Sequence, residues 1–196
     1  MPVDRQDLEA RIAAARSDDT VRGLVFNALF SVVREVAGEE AARACDPTGK
    51  ASRVEFFSYP VTDFLALAAA VAERIGGRLG GEQQAFFRIG HRAGGMVLDS
   101  MVGKTMLALS EAGGARQLLA NVPSAYKGAV SYGERRLEWT GERRARVTFR
   151  RELLAPPFHC GVFTAVLERV GAKDIRTEAR QTGALDAECE LAWEAA

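Results

Sequence analysis

The chain has 196 residues, 26 basic and 26 acidic side chains, three cysteines, and 47% hydrophobic against 27% charged residues. That length can bury a sizeable core, and this balance excludes an intrinsically disordered chain. Zero formal net charge removes the global electrostatic case for a nucleic-acid or polyanion binder.

No apolar signal core opens the chain, and no window reaches the roughly 20 apolar residues of a membrane helix. Cys45, Cys160 and Cys189 are odd in number and widely spaced, unlike a disulfide framework, so a reducing cytoplasm is the expected compartment.

The first two thirds read as helical. Asp18-Asp19-Thr20 is placed to cap a helix over Val21–Val36, with Val21, Leu24, Val25, Ala28, Leu29, Val32 and Val36 on one stripe. Gly38 ends it, a short helical turn follows at Glu39–Cys45, and Asp46–Lys50 is a loop by composition. One short extended piece is expected near Val54–Phe57. Ser58-Tyr59-Pro60 starts the next helix, whose stripe runs from Val61 to Leu79. A third helix carries Phe86, Ile89, Gly90, Ala93, Met96, Val97 and Met101, and its small residues admit another backbone closely. Lys104–Leu119 is a fourth helix, weakened at Gly113-Gly114.

From about Tyr126 the period changes. Leu137 and Trp139, then Ala145, Val147 and Phe149, alternate with charged residues as an antiparallel hairpin would. Phe158–Val170 reads as a helix closed by Gly171, and strands follow at Lys173–Gln181 and Ala187–Glu194. The expected fold class is α+β: an N-terminal helical layer, about 17–122, then a ββαββ unit, about 126–194, with a four-stranded antiparallel sheet, all in one domain over 1–196.

VRGLVFNALFSVV, EFFSYPVTDFLAL, the RIGHRAG helix, GKTMLALSEAGGARQLLANVPSAYKG and the closing ELAW together resemble an uncharacterised family expanded in myxobacteria. The order of sheet, FHCGVFTAVLERVGAKDI and RTEARQTGALDAECELAW is similar to the vinyl-reductase-type (4-vinyl reductase) sensory domain. That fold is shared with effector domains of aromatic-responsive activators and with a vesicle-tethering TRAPP subunit holding an acyl chain, and is related in shape to haem-based nitric oxide sensors. The resemblance implies a small-molecule or lipid pocket between helices and sheet, commonly in a dimer; as a fold-level analogy it names no ligand.

In aromatic-sensing relatives an upstream cysteine and a Glu-x2-Cys-x7-Cys run hold zinc. Glu178, Gln181 and Cys189 occupy that spacing, so a glutamine replaces one thiolate, and Cys160 stands too near Glu178 to supply the upstream ligand. The expectation is no metal and no cofactor, with Cys189 a small buried hydrophobe. His91, as a haem ligand or general base, requires a cavity and a partner; a packed or surface histidine is the default. His159 beside Cys160 does not make a nucleophile–base pair by adjacency. Gly103-Lys104-Thr105 lacks the earlier glycine and the preceding strand of a phosphate loop.

Arg135, Arg136, Arg143, Arg144, Arg146, Arg150 and Arg151 are interleaved with glutamates, which favours a solvated, cross-paired sheet face over a phosphate-binding one. Phe86, Phe87, His91, Trp139, Phe149 and Phe163 are the candidate pocket residues, against a core-packing role for each aromatic. The expected function is a non-enzymatic sensory module in bacterial signalling that binds a hydrophobic small molecule or acyl chain. The alternative is an interaction or scaffold module with a side-chain-filled pocket. A homodimer is expected because Phe26 and Phe30 widen the apolar surface of the first long helix.

Overall fold

The computed structural model describes residues 5–110 and 114–195. Its helical part contains α1 (Arg5–Ala14), β1 (Thr20–Arg22), α2 (Gly23–Cys45), β2 (Ser58–Pro60), α3 (Val61–Leu79), α4 (Glu82–Asp99), α5 (Met101–Ser110), α6 (Gly114–Ala120) and α7 (Val122–Ala129). Then come β3 (Glu134–Gly141), β4 (Arg144–Arg150), α8 (Pro156–Arg169), β5 (Lys173–Gln181) and β6 (Ala187–Glu194). The α+β class and the ββαββ order are therefore as expected, with the sheet antiparallel in the order β3-β4-β6-β5.

Period-two patterning places the sheet. Ala145, Val147 and Phe149 of β4 and Ala187, Cys189, Leu191 and Trp193 of β6 form one buried face, clustered with Phe163, Val166 and Leu167 of α8. On the other face Arg146 meets its register partner Glu190 at 2.6 Å, Arg180 meets Glu188 at 2.6 Å, and Arg143 meets Glu194 at 3.2 Å. Of the seven hairpin arginines, Arg143 and Arg146 thus pair across to β6 and Arg150 lies 3.5 Å from Asp186, whereas Arg135 turns inward to Glu152 and Arg151 pairs with Asp19. Exposed pairs of this kind contribute roughly 0–1 kcal/mol each.

Several helix boundaries differ from the expected ones. Val21 and Arg22 are extended and pair with Tyr59 and Ser58 of β2, so the helix begins at Gly23. Its first amides donate to the loop before β2, Gly23 to Phe57 O at 2.9 Å and Leu24 to Glu55 O at 3.1 Å. A Cβ at Gly23 would stand 2.2 Å from the Val54 carbonyl oxygen, so only glycine admits this crossing. Ser58-Tyr59-Pro60 is likewise strand rather than a first helical turn, and the extended piece expected at Val54–Phe57 is a turn. Three-residue strands are too short for alternation to announce them.

Gly38, at φ 87°, breaks α2 where expected, and a second helical segment runs on to Cys45. The expected Lys104–Leu119 helix is α5 and α6, and its weak point at Gly113 lies outside the described residues. Tyr126, where strands were expected to begin, is still helical: Pro123 opens α7, and β3 starts only at Glu134.

The expected dimer surface on α2 is covered within the chain. Phe26 and Phe30 are 1% and 0% exposed. Phe26 sets its edge against Tyr59 and Phe64, and the Arg53 guanidinium lies over Phe26, Phe30 and Tyr59 at 5.3, 5.6 and 5.9 Å. Asp46 fixes that arginine at 2.8 and 2.9 Å while accepting the amides of Thr48 and Ala51. The guanidinium beside it holds the Asp46 carboxyl well below the usual carboxylate range. The second aromatic row of α2 therefore fills the core.

The closest helix contact is α4 on α8. A Cβ at Gly90 would stand 1.9 Å from the Phe158 carbonyl oxygen, and one at Gly161 2.0 Å from that of Phe87. The small residues expected to admit a neighbouring backbone do so, and α8 lies between α4 and the sheet.

Candidate functional site

Beside the α4–α8 contact, where α5, α6 and α7 close over the helix pair, lies a cavity of about 70 Å³. Ala93, Gly94, Val97 and Leu98 of α4 form one wall, and Phe158, Val162 and Val166 of α8 another. Met106, Leu118, Val122, Ala125, Tyr126 and Ala129 close it from α5, α6 and α7, with Val25 of α2 at the end. The wall is apolar throughout, since Tyr126 turns its hydroxyl away to His159 Nδ1 at 2.7 Å. An engineered apolar cavity of about 150 Å³ stays dry and admits benzene. This one suits a smaller apolar ligand or the end of a chain.

Behind Tyr126 lies a buried polar cluster. Glu152 receives the Arg135 guanidinium, accepts the Leu154 amide at 3.0 Å, and stands 3.8 Å from His159 Nε2. Arg135 also lies over the rings of Tyr126 and Tyr132 at 5.1 and 5.5 Å. From α1, Arg11 donates to the carbonyls of Glu152 and Leu154 at 3.0 and 3.2 Å. His159 Nε2 and the Tyr132 hydroxyl have no hydrogen-bond partner among the described residues. Burial pushes His159 down to about 4, with the Arg135 and Arg11 charges acting in the same sense and Glu152 against them. Burial also pushes the Tyr126 phenol well above its usual value. Both rings are therefore neutral near pH 7 and connect by one neutral hydrogen bond.

The opposite flank of the α4–α8 pair is a surface groove of about 560 Å³. Three ion pairs line it beside Arg88 and Gln84: His91 Nε2 with Glu168 at 2.6 Å, Arg92 with Glu35 at 2.5 Å, and Arg169 with Asp99 at 2.7 Å. All of these side chains are substantially exposed, which keeps each pair weak.

None of the six residues expected to line a pocket reaches the apolar cavity. Phe87 and His91 stack at 6.3 Å and line the groove. Phe149 stacks on His159 at 4.3 Å and lies 6.3 Å from Phe163, both within the sheet-side core. Phe86 belongs to the helical core, and Trp139 lies on β3 beneath the Arg116 guanidinium at 4.0 Å. The cavity uses Ala, Gly, Val and Leu positions that in sequence are indistinguishable from ordinary helix-packing residues. Only the small-residue run Gly90, Ala93, Gly94 hinted at where it would lie. Gly103, from the apparent phosphate-loop ending, sits in the tight α4–α5 corner, where a Cβ would stand 2.1 Å from the Val97 carbonyl oxygen.

The fold is that of H-NOX proteins. An Fe(II) H-NOX protein from S. oneidensis superposes with a TM-score of 0.65 at 14% identity, covering 89% of this chain and 96% of that one. The Fe(II) unliganded H-NOX protein from K. algicida gives 0.63 at 11% identity, covering 89% and 97%. An oxygen-binding H-NOX domain related to soluble guanylate cyclases gives 0.63 at 9% identity, covering 89% and 95%.

Haem distortion is studied in the H-NOX family, and the residues of the apolar cavity do not fit a haem. Haem iron takes an axial histidine, thiolate, thioether or phenolate. The cavity wall has neither histidine nor cysteine, its Met106 thioether has no histidine opposite it in the wall to complete a Met/His pair, its Tyr126 is a neutral phenol bonded to His159, and the wall carries no cationic side chain for haem carboxylates. His91 lies on the groove flank, paired with Glu168. A volume of about 70 Å³ is also far below a tetrapyrrole's needs, given that pockets for drug-sized ligands span roughly 300–1,000 Å³.

The comparison with curated proteins returns no match. Residues 14–194 match the family described as "Protein of unknown function (DUF2378)", and the chain belongs to that family.

Proposed function

We propose that this chain is a non-enzymatic sensory module of bacterial signalling that takes a small apolar molecule, or the end of an acyl chain, into the α4–α8 cavity. The observation that carries the reading is the wall itself, fourteen residues that present only apolar surface to the space between them. Such a site rewards shape and hydrophobicity, at about 25 cal/mol per Å² of apolar area removed from water. The resemblance to the vinyl-reductase-type domain, a fold that a tethering subunit uses to hold an acyl chain, favours the same chemistry by analogy, and the H-NOX fold favours a sensory role in the same way. Dimerisation stays an implication of that resemblance, with Phe26 and Phe30 excluded from the interface.

A second reading, a protein-interaction module, is favoured by Val54, Phe56 and Phe57, which stand 54%, 69% and 64% exposed on the loop before β2. The two readings separate in one experiment. Melting curves are recorded with saturated fatty acids of increasing length and with small cyclic hydrocarbons, for the wild-type chain and for Ala125→Leu, which fills the cavity. Sensory binding predicts a rise in melting temperature for the wild type, equivalent to about 2.7 kcal/mol at a hundredfold excess over Kd, and its loss in the variant. No rise with any of these probes overturns it.

A further inference from the structure

Twenty-nine positions separate Cys160 on α8 from Cys189 on β6, yet their sulfurs lie 3.7 Å apart in the sheet-side core. Cys160 is 6% exposed and Cys189 fully buried. The two thiols project from facing elements, and a disulfide needs the sulfurs at about 2.05 Å, so closure asks for an approach of roughly 1.7 Å. We propose that this pair is an oxidation site, in which hydrogen peroxide converts the two thiols to an intramolecular disulfide joining α8 to β6.

The surroundings divide the labour. The Cys189 S–H, the Thr177 hydroxyl and the Ala179 amide lower the Cys160 thiol against the cost of burial, whereas burial and the neighbouring sulfur raise Cys189. Cys160, the more exposed of the two sulfurs and the one beside the Thr164–Thr177 pair, is the one an oxidant reaches first, and as thiolate it attacks. Its sulfur takes the distal oxygen of the peroxide, the O–O bond breaks, and the second oxygen leaves as hydroxide to collect the proton that Cys160 released. The Cys189 sulfur then attacks the sulfenic acid, its proton leaves with the hydroxyl as water, and the S–S bond forms. Two thiols lose two electrons, and one peroxide becomes two waters. Thr164, half-buried, lines the groove beside α4 and touches Thr177 at 3.1 Å, and the Thr177 hydroxyl in turn meets the Cys160 thiol, so this threonine pair adjoins both the groove and the sulfur. Cys45, on α2 beside Arg74, is the internal control.

The full chain is treated with hydrogen peroxide, its fold checked by melting curve, and its remaining thiols alkylated under denaturing conditions. The expected result is a fall from three labelled thiols to one, Cys45, with a Cys160–Cys189 link in the peptide map that dithiothreitol reverses. Cys189→Ala is expected to leave a Cys160 sulfenic acid that dimedone captures. Because that variant alters the core, Cys45→Ser serves beside it: both remaining thiols should become unlabelled with no increase in mass beyond one chain. Three labelled thiols in folded, peroxide-treated wild type, or links that involve Cys45 or two chains, overturn the proposal.

Discussion

The two flanks of the α4–α8 pair are built from the same two helices and differ in kind. On one flank Ala93, Gly94, Val97, Phe158, Val162 and Val166 leave a space that no polar group enters. On the other, His91, Arg92, Asp99, Glu168 and Arg169 fill a wider groove with charges. The wider site is lined by three exposed ion pairs at 2.5–2.7 Å, which water screens, together with Arg88. The narrower one is apolar space left where six helices meet, in an interior whose packing admits few voids.

The comparison breaks most completely if the helix pair itself is parted. Gly90→Val puts a branched side chain where even a Cβ meets a carbonyl oxygen at 1.9 Å, and both flanks depend on that contact. A loss of about 4 kcal/mol or more is expected in urea denaturation, large enough to unfold a marginal domain. Glu152→Ala comes next. It strands the buried Arg135 guanidinium behind the cavity wall and should cost about 3–5 kcal/mol by the same measurement.

Acid acts behind the cavity flank through His159. His159 binds a proton near pH 6.5 when unfolded and only at about 4 when folded. Its contribution is therefore fully present above pH 6.5 and is lost as the pH falls from there through about 4, roughly 3 kcal/mol in all. Melting temperatures of His159→Gln, compared with wild type across that window, should show a flatter acid limb. Tyr126→Phe leaves His159 Nδ1 without its partner and should cost about 1–3 kcal/mol. The smallest effect belongs to the groove: Arg92→Ala removes an exposed pair and should change stability by less than about 1 kcal/mol.

What could be read in advance follows from the range of each interaction. The strands β5 and β6 and the inward set Ala187, Cys189, Leu191 and Trp193 were legible because period-two alternation is local. The start of α2 was not, because its first amides are taken by Glu55 and Phe57, more than thirty residues on. Phe26 and Phe30 suggested a surplus face for the same reason: their cover, Arg53 held by Asp46, is a loop contact without periodicity. At the candidate site, aromatic residues drew attention and proved to be core or groove, while the cavity is a space left between small side chains of five helices and the end of a sixth. Absence of volume has no letter in a sequence. The Cys160–Cys189 contact was hidden likewise, since only the packing of α8 on β6 brings the sulfurs together.

The most direct test of the cavity is a crystal structure of the chain determined under xenon pressure, since xenon enters dry apolar cavities and ignores charged grooves. The account predicts a xenon site among Ala93, Val97, Leu118, Val122 and Phe158, absent in Ala125→Leu. Side chains collapsed across that space, or ordered water within it and no xenon, would contradict the claim that this flank is built to receive an apolar ligand.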